Sequence, residues 1–361
     1  MPTDMRKLPF SFISCLLVFV VCLTRLAIPA TVLASSQTEL RIGYQPLSSP
    51  TGAIFEAIMR DLLLRQELGH KNVTLKFIPF KKGTDSIEAF KRGELDAIAM
   101  GDLPMIEFAL TTPVVIIGQL RQGFSTIVAP RGTTPLNLKG KRIGNAFASS
   151  GHYALLKTLQ NAGLAERDVT LIPLDVNKMS KALLDGKIDA FSAWEPTPYL
   201  FIAQYPDRFS SVGRQSGSGY LSVARRFADR HPESIPLLAA GVARAMQWFS
   251  KNAANLKQAA LWNRASIQKL TGTESHASPE ELSRQTGADL QVIHYSAKLP
   301  PMKDRGKNLL LDEFTFLKAI GRLPQTARWQ TIRNSFDHSI MDRIYRNQTA
   351  SSLNRFSYEL K

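Results

Sequence analysis

The chain has 361 residues, 44% of them hydrophobic and 21% charged, with Lys and Arg outnumbering Asp and Glu by 45 to 30. That balance excludes a disordered or fibrous chain, and the length is enough for two domains of ordinary size. A net charge of +15 admits nucleic acid, an anionic membrane face or a small anion as partner, but the basic residues are scattered, in runs no longer than two, and most of the surplus reads as solvated surface that favours anions.

The first element is a leader. Arg6 and Lys7 precede an apolar run from Leu8 to Leu23, and "TVLASS" follows, with Val32 and Ala34 at the minus-three and minus-one positions. This is the layout of a secretory signal peptide, residues 1–34, cleaved after Ala34, with Ala30 as the alternative. The run of 16 residues is shorter than the roughly 20 that span a bilayer. Cys15 and Cys22 both lie inside it, so the mature chain has no thiol for a disulfide, a metal or nucleophilic attack. Neither cysteine follows the complete apolar stretch that a lipid anchor requires, and a free periplasmic protein is expected. Losing Arg6, Lys7, Arg25 and Asp4 lowers the charge from +15 to +13. Export argues against nucleic acid as the partner.

Next comes a strand-like run that ends in two serines before a helical pattern, "RIGYQPLSS" (41–49); it aligns without a gap with "RIGNAFASS" (142–150), 101 residues on. A second pair follows the same logic: "GELDAIAMGDLP" (93–104) resembles "GKIDAFSAWEPT" (186–197), at an offset of 93. Each member is preceded by a short helical pattern, 85–93 and 178–186, that ends on a glycine suited to a left-handed cap. The chain therefore builds the same unit twice. Strands alternating with helices imply an α/β protein whose parallel sheets are covered on both faces, and two similar units imply two lobes. The β-rich "FSTIVAPRG" (124–132) and the Gly/Ser stretch "SGSGYLSVARR" (216–226) mark crossovers near 125–131 and 219–225. Lobe 1 is then 38–127 plus 224–345 and lobe 2 is 128–223. Beyond them lie a helix over 231–250 that starts at Pro232 and a helix over 308–321 that stops at Gly321. Both are expected to pack back on lobe 1. The tail, 346–361, is polar and basic and is expected to fray.

Ligands of parallel α/β sheets bind outside the carboxyl ends of the strands, where Ser48-Ser49 and Ser149-Ser150 fall. A helix N-terminus leaves N–H groups unpaired and carries partial positive charge, so it holds an oxyanion without a full cation. Serine hydroxyls add donors there, and Gly151 lets the backbone come close. The alternative is that the serines only cap their helices. His152, in the first turn, is either a donor to an anion or a half-exposed helical residue, and Trp194 is either an apolar wall for the ligand or core. Asp102 and Glu195 either bind an ammonium or cap neighbouring N–H groups. Gln45 faces the cleft from the end of the first strand. No HExxH, GxxxxGK[ST], GxSxG or helix-opening GxGxxG occurs, and the six histidines show no metal-ligand spacing. No catalytic residue, metal or cofactor is expected.

The pieces "GYQP", "GELDAIAMGDLP", "LKGKRIG…SSGHYALLKTLQNAGL", "GKIDAFSAWEPTPY" and "ARRFADRHPE", spread from about residue 39 to about residue 340, together resemble the periplasmic substrate-binding proteins of ABC importers for aliphatic sulfonates, taurine and nitrate. The resemblance implies the two-lobed periplasmic binding protein fold of type II with two crossover strands, which closes on its ligand and docks on an inner-membrane permease. It implies a non-enzymatic monomer that binds a small organic anion. It also implies an anion pocket at "SSGHY" and an aromatic wall at "WEP", with binding roles for Gln45, Gly101, Asp102, Ser149, Ser150, His152, Trp194 and Glu195; the twin serines Ser48 and Ser49 join them from the repeat. The chain departs from sulfonate binders in having "GDLP" for a Gly-Glu-Ala-Pro-like run and "WEP" for a Trp-Asp-Pro-like run. Nitrate, taurine, longer sulfonates, sulfate esters and thiamine-pyrimidine precursors therefore stay open. An enzyme of the pyrimidine-synthesis or dehydratase type on this scaffold, or an exported sensor or adaptor, is the alternative.

Overall fold

A computed structural model describes residues 37–273, 277–303 and 308–360; the leader and its cleavage near Ala34 lie outside them. The first unit runs β1 (Thr38–Tyr44), α1 (Thr51–Arg60), α2 (Leu62–Gly69), β2 (Val73–Pro79), α3 (Gly83–Lys91), β3 (Ala97–Gly101) and α4 (Asp102–Thr111), and leads into a long strand, β4 (Val114–Pro130). The second runs β5 (Arg142–Asn145), α5 (Ser150–Asn161), β6 (Thr170–Pro173), α6 (Val176–Leu184), β7 (Ala190–Trp194) and α7 (Thr197–Gln204), and leads into another long strand, β8 (Phe209–Ala224). Helices follow: α8 (Arg225–Arg230), α9 (Ser234–Lys251), α10 (Ala253–Thr271), α11 (Pro279–Val292), α12 (Leu309–Ala319), α13 (Trp329–Arg333) and α14 (His338–Arg346). No helix among the described residues is long and apolar enough to cross a membrane.

The strands form one sheet in the order β2-β1-β3-β8-β4-β7-β5-β6. The repeat seen in the sequence is a repeat of pairing. Ile42 of β1 lies between Phe77 of β2 and Ala97 of β3, and Ile143 of β5 lies between Leu171 of β6 and Ala190 of β7, all in parallel. The two long strands run antiparallel to each other from the pair Val114–Ala224 to the pair Pro130–Phe209 and join the two halves. They are much longer than the short crossovers expected from the sequence. A bulge between Gln119 and Arg121 interrupts this ladder, and bulges re-aim the side chains beside them. Gly219 stands opposite Arg121, where a Cβ would come within 2.8 Å of the Arg121 Cγ, so the absence of a side chain makes room for the arginine stem.

Apolar side chains gather in two places. The larger core joins β1, β3 and α1 to the late helices through Ile42, Ile54, Ile98, Leu238, Val242, Phe249, Leu310 and Leu317, so those helices pack on the first half. Around β5 and β7 sit separate clusters, one with Met179, Phe191 and Phe201 and one with Ile143, Leu155 and Leu159.

Two expectations need correction. Helix α9 begins at Ser234 and not at Pro232, because residues 231–234 form a turn closed by the Ser234 N–H on the His231 carbonyl at 3.0 Å, and Pro232 takes the position in that turn for which its fixed φ is suited. The tail does not fray. The Leu62 N–H donates to Ser357 O at 2.9 Å and the Glu359 N–H to Arg60 O at 3.0 Å. The Tyr358 ring lies 4.5 Å from that of Trp248, and Leu353 is buried. A few apolar and aromatic residues in a basic segment were enough to anchor it.

Candidate functional site

The carboxyl ends of β1 and β3 face those of β5 and β7 across a small cavity lined from both sides. Gln45, Ser48, Lys82, Met100 and Gly101 line it from one side, Ala148, Ser149, Ser150 and Trp194 from the other, and Arg121 and Gly219 from the long strands. Its charged lining residues are Arg121 and Lys82, both cations; no carboxylate lines it.

On the first side the chain leaves β1 through a tight turn. The Ser48 N–H donates to Gln45 O at 3.2 Å and the Gly52 N–H to Ser48 O at 2.9 Å. Gln45 is pinned by its Nε2, which donates to Ala99 O at 2.8 Å. Ser49 does not line the cavity; its N–H donates to Glu195 O at 3.2 Å, which ties this turn to the other half.

On the second side Ser149 caps α5. Its Oγ accepts from the His152 N–H at 3.2 Å and donates to Ala146 O at 2.6 Å. Ser150 Oγ donates to Asp102 Oδ1 at 2.5 Å. A hydroxyl has one hydrogen to give, and here both are given to protein acceptors. The N–H groups of Ser150 and Gly151, in the first turn, are left over by helix geometry. Gly151 serves packing: a Cβ there would meet Ser192 O at 3.0 Å and the Ala193 Cα at 3.1 Å, so it seats α5 on β7 and not a ligand on α5. At Gly101 a Cβ would come within 2.5 Å of Ser150 Oγ, and its absence lets the two helix starts approach.

Three other expected contacts lie behind the lining. Asp102 is buried and accepts from the Ser218 N–H at 2.6 Å and the Leu103 N–H at 3.0 Å as well as from Ser150. Burial pushes its pKa up, and the Ser150 hydroxyl, the Ser218 N–H and the charge of Arg121 pull it back. Glu195 is likewise buried, accepting from Thr126 Oγ1 at 3.1 Å and the Tyr199 N–H at 2.9 Å; burial raises its pKa too. Both carboxylates therefore brace the walls as caps. His152 turns away from the cavity: Nδ1 accepts from the Ala148 N–H at 3.2 Å and Nε2 lies 3.4 Å from Glu166 Oε1. Burial and the charge of Arg322 lower its pKa to about 4, so the ring is neutral. Trp194 does form a wall, held by its Nε1 donating to Leu47 O at 3.2 Å.

Sequence reasoning missed Arg121. It is 3% exposed, its Nε has no hydrogen-bond partner, and Nη1 and Nη2 reach Ser48 Oγ and Phe124 O only at 3.5 Å. Among the described residues it makes no ion pair. A buried cation held by no close ion pair is costly, and this one borders the cavity, its charge felt by the buried carboxyls of Asp289, Asp102 and Glu195. It has no twin in the matched sequence segments, because β4 lies outside them. Its signal was present as the one charge in "VVIIGQLRQGFSTIVAP", the whole of β4. The buried carboxyl of Asp289 on α11 was missed too; Oδ1 accepts from Gln285 Nε2 at 3.0 Å and Oδ2 has no partner.

The profile of the NMT1-like family matches residues 34–263. Among curated proteins the chain is 27% identical over 211 residues to an aliphatic sulfonates-binding protein of Escherichia coli K12, a match that covers 56% of this chain and 64% of that one. A namesake from Bacillus subtilis 168 is 27% identical over 213 residues, 55% of this chain and 61% of that one. The chain thus spans less than two thirds of the length of these two relatives. The taurine-binding periplasmic protein of E. coli K12 is 24% identical over 299 residues, 80% of this chain and 89% of that one. Among solved structures the alkanesulfonate-binding protein SsuA of Xanthomonas axonopodis pv. citri, bound to MOPS, superposes with a TM-score of 0.62 at 20% identity, covering 84% of this chain and 99% of that one. The periplasmic aliphatic sulphonate binding protein SsuA of E. coli gives 0.53 at 19%, covering 82% and 98%. These likenesses show that the fold is that of periplasmic binding proteins.

Proposed function

The chain belongs to the NMT1-like family, and from that premise we propose that it is an extracytoplasmic solute-binding protein that captures a small organic anion for an ABC importer. The anion's charge sits against Arg121, its oxygens take the first-turn N–H groups of α5 and the Ser48 hydroxyl, and its organic part lies on Trp194 and Met100. One observation carries this reading: a buried arginine with no ion pair among the described residues borders a cavity that no carboxylate lines. Buried charges are stable when paired, and an arginine that no close ion pair holds is left to take the charge of an anion. The names of the relatives, which speak of aliphatic sulfonates and taurine, favour a sulfonate over the other anions.

Both halves line the cavity, so a ligand held between them enters only when they part. Lobe 1 (38–127 plus 224–345) and lobe 2 (128–223) therefore move apart about β4 and β8, and capture is a hinge closure. In this reading Asp102 and Glu195 brace the lobes and do not touch the ligand. The protein works as a monomer that presents its closed form to a permease. Isothermal titration of the mature chain with ethanesulfonate, taurine and nitrate tests the reading. One site is expected for a sulfonate, lost in Arg121→Met; wild-type affinity in that variant would reject the assignment of Arg121.

A further inference from the structure

Of the three buried carboxyls that feel Arg121, two are fully occupied. Asp102 accepts from Ser150, Leu103 and Ser218, and Glu195 from Thr126 and Tyr199, so that each of their oxygens has a donor. Asp289, on α11, is different. It is 5% exposed, Gln285 Nε2 donates to Oδ1 at 3.0 Å, and Oδ2 has no hydrogen-bond partner. Gly123 fixes its place beside the guanidinium. Arg121 and Gly123 are two residues apart on β4, paired in register with Gly219 and Gly217, and so share a face of the sheet. A Cβ at Gly123 would lie 3.0 Å from Asp289 Oδ1 and 3.5 Å from Arg121 Nη2. The carboxyl and the guanidinium therefore meet at one bare glycine, with no side chain of that residue to part them. Arg121 is loosely held: its bonds to Ser48 Oγ and Phe124 O are both 3.5 Å, and its Nε has none. The other cation that Asp289 feels, Arg214, lies over the Phe124 ring at 3.9 Å.

Resting on the anion-site reading above, we propose that Asp289 is a positioning residue of that site, the counter-ion that Arg121 turns to between ligands and leaves in order to take the anion. A short swing of a long side chain separates the two partners, because Arg121 borders the cavity and also meets Asp289 at Gly123. Burial pushes the Asp289 pKa up, and the charge of Arg121 pulls it back towards the ionised form. The carboxylate then acts in two ways. It offsets the cost of a buried cation while no anion is bound, and it competes with the anion for the same guanidinium. By linkage, whatever stability Asp289 gives to the ligand-free form is subtracted from binding. Asp289 therefore holds affinity below what Arg121 alone would reach, which suits a protein that must also release its cargo.

The test is titration of ethanesulfonate into the mature wild type and into Asp289→Asn. The amide keeps Oδ1 as the acceptor for Gln285 and removes the charge. Asp289→Asn is expected to bind about fivefold more tightly or better, the size of an ordinary coupling between two sites, with slower release. General damage to the fold would weaken binding, so a gain has one source. Equal or weaker binding in Asp289→Asn overturns the proposal and leaves Arg121 as the partner of the anion. Should ethanesulfonate bind neither protein, the anion reading fails, and urea unfolding without ligand decides the pairing through a double-mutant cycle of Asp289→Asn and Arg121→Met. A double variant more stable than the two single changes predict when added together supports Asp289 as the counter-ion. Additive changes overturn it.

Discussion

The turns 45–49 and 146–150 begin as twins and end as different devices. Both carry a parallel strand into a helix through a serine pair, and Ser48, Ser149 and Ser150 all line the cavity. In the second turn both hydroxyl hydrogens are held, by Ala146 O and by Asp102. In the first, Ser48 Oγ faces the guanidinium of Arg121 at 3.5 Å. A duplicated motif thus fixes where a site lies, while the partners outside the motif decide its chemistry. The second turn seals the two halves through the Ser150 hydroxyl, the first joins them through its backbone, and the first, with Arg121 behind it, also offers charge.

Predictions follow from that division of labour. Arg121→Met should cost the largest share of affinity, about 2–5 kcal/mol, the usual loss when one member of a buried hydrogen-bonded charge pair is truncated, and titration calorimetry reads it directly. His152, on the sealing side, should matter for acid stability and not for ligand. Its folded-state pKa of about 4 lies below the ordinary 6.5, so the unfolded chain binds the proton more tightly and stability is lost as pH falls from about 6.5 towards 4, at up to about 1.4 kcal/mol per unit. His152→Gln should flatten that limb in urea unfolding at pH 4 to 7 and leave affinity at neutral pH unchanged. Ser150→Ala removes a hydrogen bond to a charged group, worth about 1.5–3 kcal/mol, and should lower both stability and affinity, since the bond crosses between the halves. Ser149→Ala should cost about 1 kcal/mol of stability, the ordinary loss of a helix cap, with affinity nearly kept. A larger loss of affinity in Ser149→Ala than in Arg121→Met would break the comparison.

Much of this architecture was legible in the sequence. The offsets of 101 and 93 residues reappear as the pairs Ile42 and Ile143, and Ala97 and Ala190, at matching places in the sheet. Gln45, Ser48, Gly101, Ser149, Ser150 and Trp194 were found by their positions at strand ends, and all border the cavity. What stayed hidden depends on contacts distant in the chain. Asp102 takes the Ser150 hydrogen across 48 residues, so the direction of that hydroxyl has no local signature. His152 is buried against Phe147 as a neutral ring whose Nδ1 accepts from the Ala148 N–H and whose Nε2 points to Glu166. Arg121 escaped because it lies on β4, outside the matched sequence segments, where no repeat draws attention to it.

The central claim is that Arg121 supplies the charge that a sulfonate lacks. A crystal structure of the mature chain with ethanesulfonate tests it most directly. The account predicts the sulfonate oxygens in hydrogen-bond contact with the Arg121 guanidinium and the first-turn N–H groups of α5, with the ethyl group on Trp194. An ethanesulfonate bound elsewhere, or held while Arg121 pairs with Asp289, would contradict it.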